Sequence, residues 1–420
     1  MRAVKYKRYT SNHIMSSSYF VGLDIGTTAV RCVVGQLNDQ DVAPTVIGTG
    51  VAANLGVRKG AVTNVADTVS AIDAAIEQAE RMSGYEVGAA TVNINGSHIV
   101  GMNSKGVIAI SSNTREISPD DIARVEEAAT VVQLPANREI IQVFARDYRL
   151  DGQDRIRDPV GMTGVRLEVD AHVVTAATPS LRNLEKAMDQ AGTSVHYRLL
   201  AGLAAAEAVI SREQRENGVV LVDYGASTTN IAVFEEGEVQ HVAVIPVGSH
   251  NLTNDLAIGL RTELDVAEAV KLAHAGPGSH GQSRSVSVTL GEDSFTFKRS
   301  DIDHIVRSRL DETFELVDQE LDKINRAGKL PGGAVLVGGG AKLDGLAEYA
   351  KDFLKLPARV AKPHGFAGLV DTIDSPEFAT TIGLMLYDMH ASGMDTGARA
   401  GTRLKSAAST VGLWLKRLKP

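Results

Sequence analysis

The spacing of apolar and polar residues along the chain predicts an α/β protein. Residues 21–37 and 45–53 are rich in β-branched residues and predict strands. Between Val65 and Met82, apolar side chains recur on one helical face, which predicts an amphipathic helix. Further strands are predicted at residues 90–94 and from Val219, where the second half of the chain begins.

Residues 102–178 have a pattern of their own and predict an inserted subdomain. Ser118 followed by Pro119 is a typical helix start, because proline is tolerated at the first helical position. We expect this helix to run to about Val132. We expect strands around it at 107–110, 139–148 and 165–175. A helix at 181–191 then leads the chain out of the insert.

The second half of the chain predicts several helices and one hairpin, and it ends in a separate amphipathic segment. The predicted elements are helices at 266–273, 301–326 and 376–390, a hairpin of 286–290 with 294–298, and a linker at 391–403. In residues 404–420, apolar side chains fall on one helical face with basic residues beside it, a pattern typical of an interfacial membrane anchor. A helix that docks on the body or on a protein partner would look the same. The segment's apolar residues include Leu404, Val411, Trp414, Leu415 and Leu418, and its bases are Lys405, Lys416, Arg417 and Lys419.

Composition and charge indicate the number of domains, the cellular compartment and the kinds of partner to expect. A chain of 420 residues suggests two domains with inserts. The net charge is −8, yet both ends of the chain are basic, so the body is strongly acidic and we expect no nucleic-acid partner. The single Cys32 excludes a disulfide framework and fits a reducing compartment. No apolar run reaches the roughly 20 residues of a membrane span. Residues 1–18 predict a flexible tail, and Met15 is an alternative start.

Two stretches of the chain are variations of one motif. Each is an apolar strand that ends in aspartate, at Asp24 and at Asp223, then turns through glycine and hydroxyl residues into another strand. Glycine allows close approach of the backbone to phosphates, turn N–H groups and hydroxyls donate to phosphate oxygens, and carboxylates hold hydrated Mg²⁺. The predicted phosphate-binding residues are Gly26, Thr27 and Thr28 in the first turn and Asp223, Gly225, Ser227 and Thr228 in the second.

A late glycine loop belongs with these hairpins. Gly338, Gly339 and Gly340 follow a buried strand, and the turn at Gly248 is a weaker candidate for phosphate contact. The chain contains neither a Walker A motif nor a Gly-x-Gly-x-x-Gly after a strand. The two hairpins and the loop, in this order, resemble the actin/Hsp70/sugar-kinase ATPase superfamily.

That resemblance implies a two-domain actin-like ATPase fold built from duplicated ribonuclease-H-like domains. It assigns Mg²⁺ to Asp24 and Asp223 and ATP phosphates to the two turns. It places Gly338–Gly340 under the adenosine. Glu268 and Lys271, three residues apart on one helix, resemble residues that reach ribose and adenine, although an exposed ion pair would have the same spacing.

Within the superfamily, the chain resembles the FtsA family of bacterial cell-division proteins over residues 20–420. The stretches Val92-Asn-Ile-Asn-Gly-Ser-His-Ile, Asp158-Pro-Val-Gly-Met-Thr-Gly-Val and Leu200-Ala-Gly-Leu-Ala-Ala-Ala-Glu-Ala carry the resemblance, with the insert and the basic tail. It implies an ATP-binding filament former that tethers the ring protein FtsZ, through its C-terminal peptide, to the anionic cytoplasmic face of the inner membrane. Other divisome proteins are further expected partners.

The resemblance also sets the expected domain boundaries and activity. The first domain is expected at 19–101 and 179–217, with the FtsA-type insert at 102–178. The second domain is expected at 218–255 and 331–390, and its own insert at 256–330 is expected to contact FtsZ. The membrane-targeting helix is expected at 404–420. Ala201 takes the place of the water-orienting residue of hydrolytic relatives, so no catalytic residue is assigned and hydrolysis should be slow at most. The second turn also has fewer glycines than the family pattern. The alternatives are a scaffold ATPase of a pilus or secretion assembly and a kinase or chaperone of the same fold.

Overall fold

The computed structural model describes residues 17–38, 41–277 and 284–393. The predicted membrane helix at 404–420, with all of its named residues, lies outside the described residues. So do most of the linker and residues 1–16. The first strand begins at Ser17, whose backbone pairs with Asn38, so the last two residues of the predicted flexible tail, Ser17 and Ser18, belong to the sheet.

The first domain begins with a six-stranded sheet. Its early elements are β1 (Ser17–Ile25), β2 (Ala29–Asn38), β3 (Thr45–Ala53), β4 (Val57–Arg58), β5 (Ala61–Val62), α1 (Val65–Ser83) and β6 (Ala89–Ile94). Helix α1 packs on β3, and glycine at position 50 is required there, because a Cβ would lie 1.9 Å from the Ala75 carbonyl oxygen. Asn64 caps the start of α1, and Gly84 ends it in the left-handed conformation.

The insert subdomain is a separate four-stranded sheet with one helix. Its elements are β7 (Val100–Ala109), α2 (Pro119–Ala129), β8 (Arg138–Leu150), β9 (Gln153–Ile156) and β10 (Arg166–Ala177), with strand order β7-β10-β8-β9. Ser118 and Asp121 form a capping box at the start of α2, as the sequence indicates. The helix ends at Ala129, before the predicted Val132, because Thr130 closes it and the β-branched residues that follow are poor helix formers.

The chain then completes the first domain and forms the second. The connecting elements are α3 (Thr178–Gln190), β11 (Ser194–Leu200), α4 (Ala201–Val209) and α5 (Arg212–Asn217). The second domain contains β12 (Val219–Tyr224), β13 (Thr229–Glu235), β14 (Glu238–Ile245), α6 (Ser249–Leu260), α7 (Leu264–His274), β15 (Ser285–Leu290), β16 (Asp293–Lys298), α8 (Arg299–Asp322), β17 (Ala334–Val337), α9 (Leu346–Leu354) and β18 (Ala358–Val360). Its main sheet has the order β14-β13-β12-β17-β18.

The last described elements return to the first domain. They are β19 (Ala367–Gly368), α10 (Val370–Ile373) and α11 (Ala379–Ala391), with the first sheet ordered β11-β6-β1-β2-β3-β19. The predicted helix at 376–390 is therefore two elements, because Pro376–Phe378 forms a 3₁₀ turn before α11. The long helix α8 spans 299–322 rather than 301–326.

Helices α4 and α11 lie between the two main sheets and join them. A Cβ at Gly383 of α11 would lie 1.6 Å from the Ala204 carbonyl oxygen of α4, so the helices cross in backbone contact. The buried cluster around this crossing includes Val33 of the first domain and Leu221 of the second. Burial of this shared apolar surface stabilises the two domains against each other.

Candidate functional site

The first hairpin holds a buried aspartate at the end of a strand. Asp24 is the next-to-last residue of β1, and Asn93 of β6 donates from Nδ2 to its Oδ1 at 2.7 Å. The Asn93 Oδ1 accepts from the Ile25 N–H at 2.8 Å, which fixes the orientation of the amide. The turn closes with a hydrogen bond from the Gly26 N–H to the Ala29 carbonyl oxygen at 3.0 Å.

The second hairpin also orients its aspartate with an asparagine, which here comes from the paired strand β13. Asp223 near the end of β12 accepts from Asn230 Nδ2 at 2.9 Å, and the Gly225 N–H donates to the Thr228 carbonyl oxygen at 2.9 Å. Asp223 is 7% exposed and Asp24 is 9% exposed. Each domain therefore presents one oriented carboxylate beside one glycine turn.

The two turns meet across the cleft between the domains. Thr27 Oγ1 lies 2.6 Å from Ser227 Oγ, and Asn95 Nδ2 donates to Thr228 Oγ1 at 3.1 Å. Three of the hydroxyl residues predicted to bind phosphate thus lie where the two turns meet, and Thr27 and Ser227 are in contact although they are 200 positions apart in the chain. Thr28 is also in the first turn, where its carbonyl oxygen accepts from the Asn54 N–H at 3.0 Å.

Without a cation, ionisation of the two buried carboxyls of the cleft is unfavourable. Burial, opposed by the Arg31 guanidinium and assisted by the Asp223 carboxylate, raises the pKa of the Asp24 carboxyl to about 7. Burial also raises the pKa of Asp223, against the hydrogen bond from Asn230 and the charge of Arg31. When two carboxyls are buried close together, ionisation of both is costly, and a bound divalent cation removes this cost by stabilising their charged forms. The residues present therefore fit Mg²⁺.

Arg31 is a cleft residue that the sequence analysis missed. It lies opposite Asp24 in the β1–β2 register, just as Asn230 lies opposite Asp223 in the β12–β13 register. Its side chain is 17% exposed, and its Nε is buried without a hydrogen-bond partner among the described residues. The guanidinium lies 5.6 Å from the centre of the Phe378 ring. Arg31 follows Asp24 by seven residues, as Asn230 follows Asp223, and this equal spacing is the sequence signal that could have identified Arg31.

Gly248 supports the second turn. A Cβ on this residue would lie 2.6 Å from the Ala226 carbonyl oxygen. The first N–H groups of α6 are bonded to the same turn, from Ser249 to the Gly225 oxygen at 2.9 Å and from His250 to the Ala226 oxygen at 2.7 Å. These two donors are therefore engaged by the protein, and direct contact of the Gly248 turn with a ligand stays a prediction.

Glu268 and Lys271 form a triangle with Thr253 of α6, a residue that the sequence did not indicate. Lys271 Nζ lies 2.7 Å from Glu268 Oε2 and 2.9 Å from Thr253 Oγ1, which itself donates to Glu268 at 2.6 Å. Burial favours a higher pKa for Glu268, but hydrogen bonds from Lys271 and Thr253 hold that pKa below its usual range. The two residues therefore form an ion pair whose lysine is 7% exposed and whose glutamate is 38% exposed, and their contact with ribose or adenine stays a prediction.

The late glycine loop lies directly behind Asp223. A Cβ on Gly338, whose φ is +86°, would lie 2.5 Å from Asp223 Oδ1, and one on Gly340 would lie 2.4 Å from the Tyr224 ring. Gly339 is exposed and has no atom within 4 Å of its Cβ position. Two of the three glycines are thus required by packing on β12, and only Gly339 has free space for a ligand above it.

The connecting helix α4 begins beside the second hairpin. Ala201 is its first residue and is 3% exposed, and a Cβ on the next residue, Gly202, would lie 3.3 Å from the Cβ of Asn230. Glu207, one and a half turns further along, pairs with Arg215 at 3.0 Å. It is therefore occupied elsewhere.

Comparison with known proteins identifies the family. A model of the family "Cell division protein FtsA" matches residues 220–383, and one of the "SHS2 domain inserted in FTSA" matches residues 96–175. The chain is 38% identical to the cell division protein FtsA of Pseudomonas aeruginosa over 380 residues, covering 90% of each chain. It is 37% identical to that of Bacillus subtilis, covering 89% of this chain and 84% of the relative, and 31% identical to that of Escherichia coli, covering 95% and 96%.

Solved structures with low identity share the fold. One is the PilM–PilN type IV pilus biogenesis complex, with a TM-score of 0.64 and 17% identity over 88% of this chain and 98% of that chain. Another is MreB5 of Spiroplasma citri bound to ADP, with a TM-score of 0.55 and 13% identity over 90% and 99%. These matches confirm the predicted two-domain actin-like ATPase fold. Among the described residues, no helix is both long and apolar enough to cross a membrane. The chain belongs to the FtsA family of bacterial cell-division proteins.

Proposed function

We propose that this protein binds Mg-ATP in the cleft between its two hairpins. The observation that carries the proposal is the matched pair of buried aspartates, Asp24 and Asp223, each oriented by an asparagine and each followed by a glycine turn. Mg²⁺ held by these residues would neutralise charge on the phosphates. The chain's own groups would position the polyphosphate: the hydroxyls of Thr27 and Ser227, which lie 2.6 Å apart, would donate to its oxygens, and Arg31 would supply a fixed positive charge.

Calorimetry with Mg-ATP tests this assignment. Asp223→Ala should abolish binding, since it removes one of the two carboxylates. Asp189→Ala, at an exposed position of α3, is the matched control and should bind as the wild type does. Equal ATP affinity in wild type and Asp223→Ala would overturn the phosphate site.

We further propose that the protein polymerises with ATP and links FtsZ filaments to the cytoplasmic membrane. Support comes from membership of the FtsA family and from the basic amphipathic segment at 404–420. In this proposal FtsZ contacts the second domain's insert, residues 256–330, through its C-terminal peptide. The membrane-bound residues are Leu404, Val411, Trp414, Leu415 and Leu418, with Lys416 and Arg417 on the anionic surface.

Fluorescence anisotropy with a labelled FtsZ C-terminal peptide tests the partner. Arg307 is exposed on α8 within the proposed contact region, and Lys186 is an exposed cation on α3 outside it. We expect Arg307→Glu to weaken peptide binding and Lys186→Glu to leave it unchanged. Equal binding by both variants would move the contact away from α8, and no binding by the wild type would overturn the adaptor role.

A further inference from the structure

The outer edge of the second domain's sheet is covered by side chains of the insert subdomain. Among the described strands, β14 is at the end of its sheet and pairs with β13 alone, so no described strand covers its other edge. His172 Nε2 of β10 lies 3.2 Å from the Val242 N–H nitrogen, and Arg146 Nη1 of β8 lies 3.5 Å from the Gln240 carbonyl oxygen. Side chains thus stand where a neighbouring strand would pair.

The hydrogen bonds of His172 define its tautomer. Its Nδ1 lies 2.9 Å from Asn103 Oδ1, an acceptor, so Nδ1 carries the proton. Its Nε2 then accepts from the Val242 N–H, and the Val242 carbonyl oxygen lies 3.3 Å from the same nitrogen. Gly101 of β7 makes room for this contact, because a Cβ there would lie 2.5 Å from His172 Nε2 and 2.7 Å from the Val242 carbonyl oxygen.

A second buried histidine extends the contact to helix α8. The ring centres of His172 and His241 are 5.0 Å apart at an interplanar angle of 61°. His241 Nε2 lies 2.9 Å from Glu320 Oε2, and His241 Nδ1 is buried without a partner among the described residues. Both imidazoles are almost completely buried, at 1% and 6% exposure. The insert, the edge of the second domain's sheet and α8 therefore meet at one polar cluster.

We propose that this cluster is a proton-sensitive joint, in which the neutral imidazole of His172 holds the insert subdomain on the edge of β14. A proton on Nε2 would end the hydrogen bond from the Val242 N–H, and although the Val242 carbonyl oxygen offers an acceptor 3.3 Å away, the new charge would be buried beside Arg146 and His241. The joint would then open, and the β14 edge would be exposed to solvent.

The charges around the cluster oppose protonation. Burial, His241 of β14 and Arg146 of β8 together lower the pKa of His172 to about 3, against the hydrogen bond to the Val242 backbone, which favours the protonated ring. Glu320 of α8 acts in the opposite direction. The hydrogen bond from His241, with Lys323, holds the pKa of Glu320 low against the effect of burial, so its charge is already compensated. Because the pKa of His172 is depressed in the closed joint, the joint is fully stable above the ordinary histidine pKa and weakens as the pH falls towards 3.

Opening of the joint would affect the cleft. Strand β14 ends at Ile245, three residues before Gly248, which packs on the second phosphate turn. A shift of β14 after loss of its edge contacts would therefore reach Ser227 through a short, continuous segment of backbone. The position of the insert and the geometry of the cleft are coupled in this way.

Hydrogen–deuterium exchange of the peptide that contains Val242 tests the proposal on the full-length protein. If opening takes up one proton on a group whose pKa rises from about 3 to about 6.5, the opening constant should increase about 25-fold between pH 7 and pH 5. Rates are to be corrected for intrinsic exchange at each pH. His172→Gln, which offers an acceptor but does not titrate, should make the opening constant independent of pH.

Two further variants complete the experiment. His172→Ala removes the acceptor and should raise exchange of β14 at every pH, whereas His304→Gln, at an exposed position of α8, should behave as the wild type. An opening constant of the wild type that changes less than threefold between pH 7 and pH 5 would overturn the proposal without any variant. An unaltered pH dependence in His172→Gln would also overturn it, because another group would then be titrating.

Discussion

At the scale of single residues, Asp24 carries the clearest physical signature of the cleft. Its pKa of about 7 means that the folded protein binds a proton that the unfolded chain has released by pH 5. The folded state is therefore fully stable below the pKa of an unfolded aspartate, and it loses stability as the pH rises through 7. Mg²⁺ bound as proposed would remove this penalty, because it would stabilise the ionised carboxylate.

This behaviour predicts the effect of Asp24→Asn without nucleotide or Mg²⁺. Asparagine keeps an oxygen for the Asn93 amide but has no charge to bury. As the pH rises from 5 to 8, the free energy of unfolding of the variant minus that of the wild type should increase by about 3 kcal/mol. Urea unfolding at several pH values measures this difference. Asp189→Asn, at an exposed site of the same domain, should show none, and a pH-independent difference for Asp24→Asn would contradict the assigned burial cost.

The residue at the start of α4 predicts slow turnover. Ala201 has a methyl group beside the second hairpin, and a methyl group can neither accept a proton nor orient water. The nearby Glu207 is engaged with Arg215. Turnover of ATP should therefore stay well below the median enzyme rate of ~10 s⁻¹. A phosphate-release assay on the pure protein checks this, and several turnovers per second would favour an enzyme of the same superfold.

At the scale of elements, the strands that end in aspartate could be predicted because their signal is local. An apolar run, an Asp and a glycine turn lie within ten residues, and the structure forms a hairpin at both places. Asn93, Asn95 and Thr253 could not be predicted, because Asn93 and Asn95 reach the hairpins from β6 and from the loop behind it, and Thr253 reaches Glu268 from α6. Their roles depend on which elements become neighbours, and the residue pattern of one element does not contain that information.

The glycine loop offers a matched pair of substitutions. Gly340→Ala places a methyl group into the Tyr224 ring and should destabilise the protein by ~1–3 kcal/mol. Gly339→Ala meets no atom within 4 Å and should unfold as the wild type does. If the loop passes under the adenosine, Gly339→Ala should instead weaken ATP binding at least tenfold. Thermal unfolding and calorimetry separate the two effects, and normal ATP affinity in Gly339→Ala would remove this loop from the nucleotide site.

At the scale of the whole molecule, duplication explains how one site is assembled from both halves of the chain. The crossing of α4 and α11 fixes the two sheets relative to each other, and this fixed distance brings Thr27 within 2.6 Å of Ser227. The repeated motif indicated a clamp between two domains, but the sequence does not encode the close crossing as a pattern. In the sequence, the crossing is marked by Gly383 inside α11. An isolated glycine in a helix can have other causes, so it does not identify a helix crossing by itself.

If residues 404–420 bind the membrane as proposed, attachment should depend on assembly. Each base near an anionic surface contributes ~1 kcal/mol, and one short amphipathic helix binds reversibly. A filament presents many copies side by side, so its attachment should be far firmer than that of a monomer. Because Trp414 is the only tryptophan, its emission reports on this segment alone.

We therefore predict a blue shift of Trp414 emission when anionic vesicles are added, and a smaller shift at high salt, since screening weakens the attraction of the bases. Trp414→Glu, or truncation after Gly401, should release the protein from sedimenting vesicles while ATP binding, measured by calorimetry, stays intact. Lys186→Glu removes one exposed base from the body and serves as the control, which should sediment normally. Sedimentation of the truncated protein with vesicles would place membrane binding elsewhere in the chain, and the anchor would then have to be sought on the folded domains.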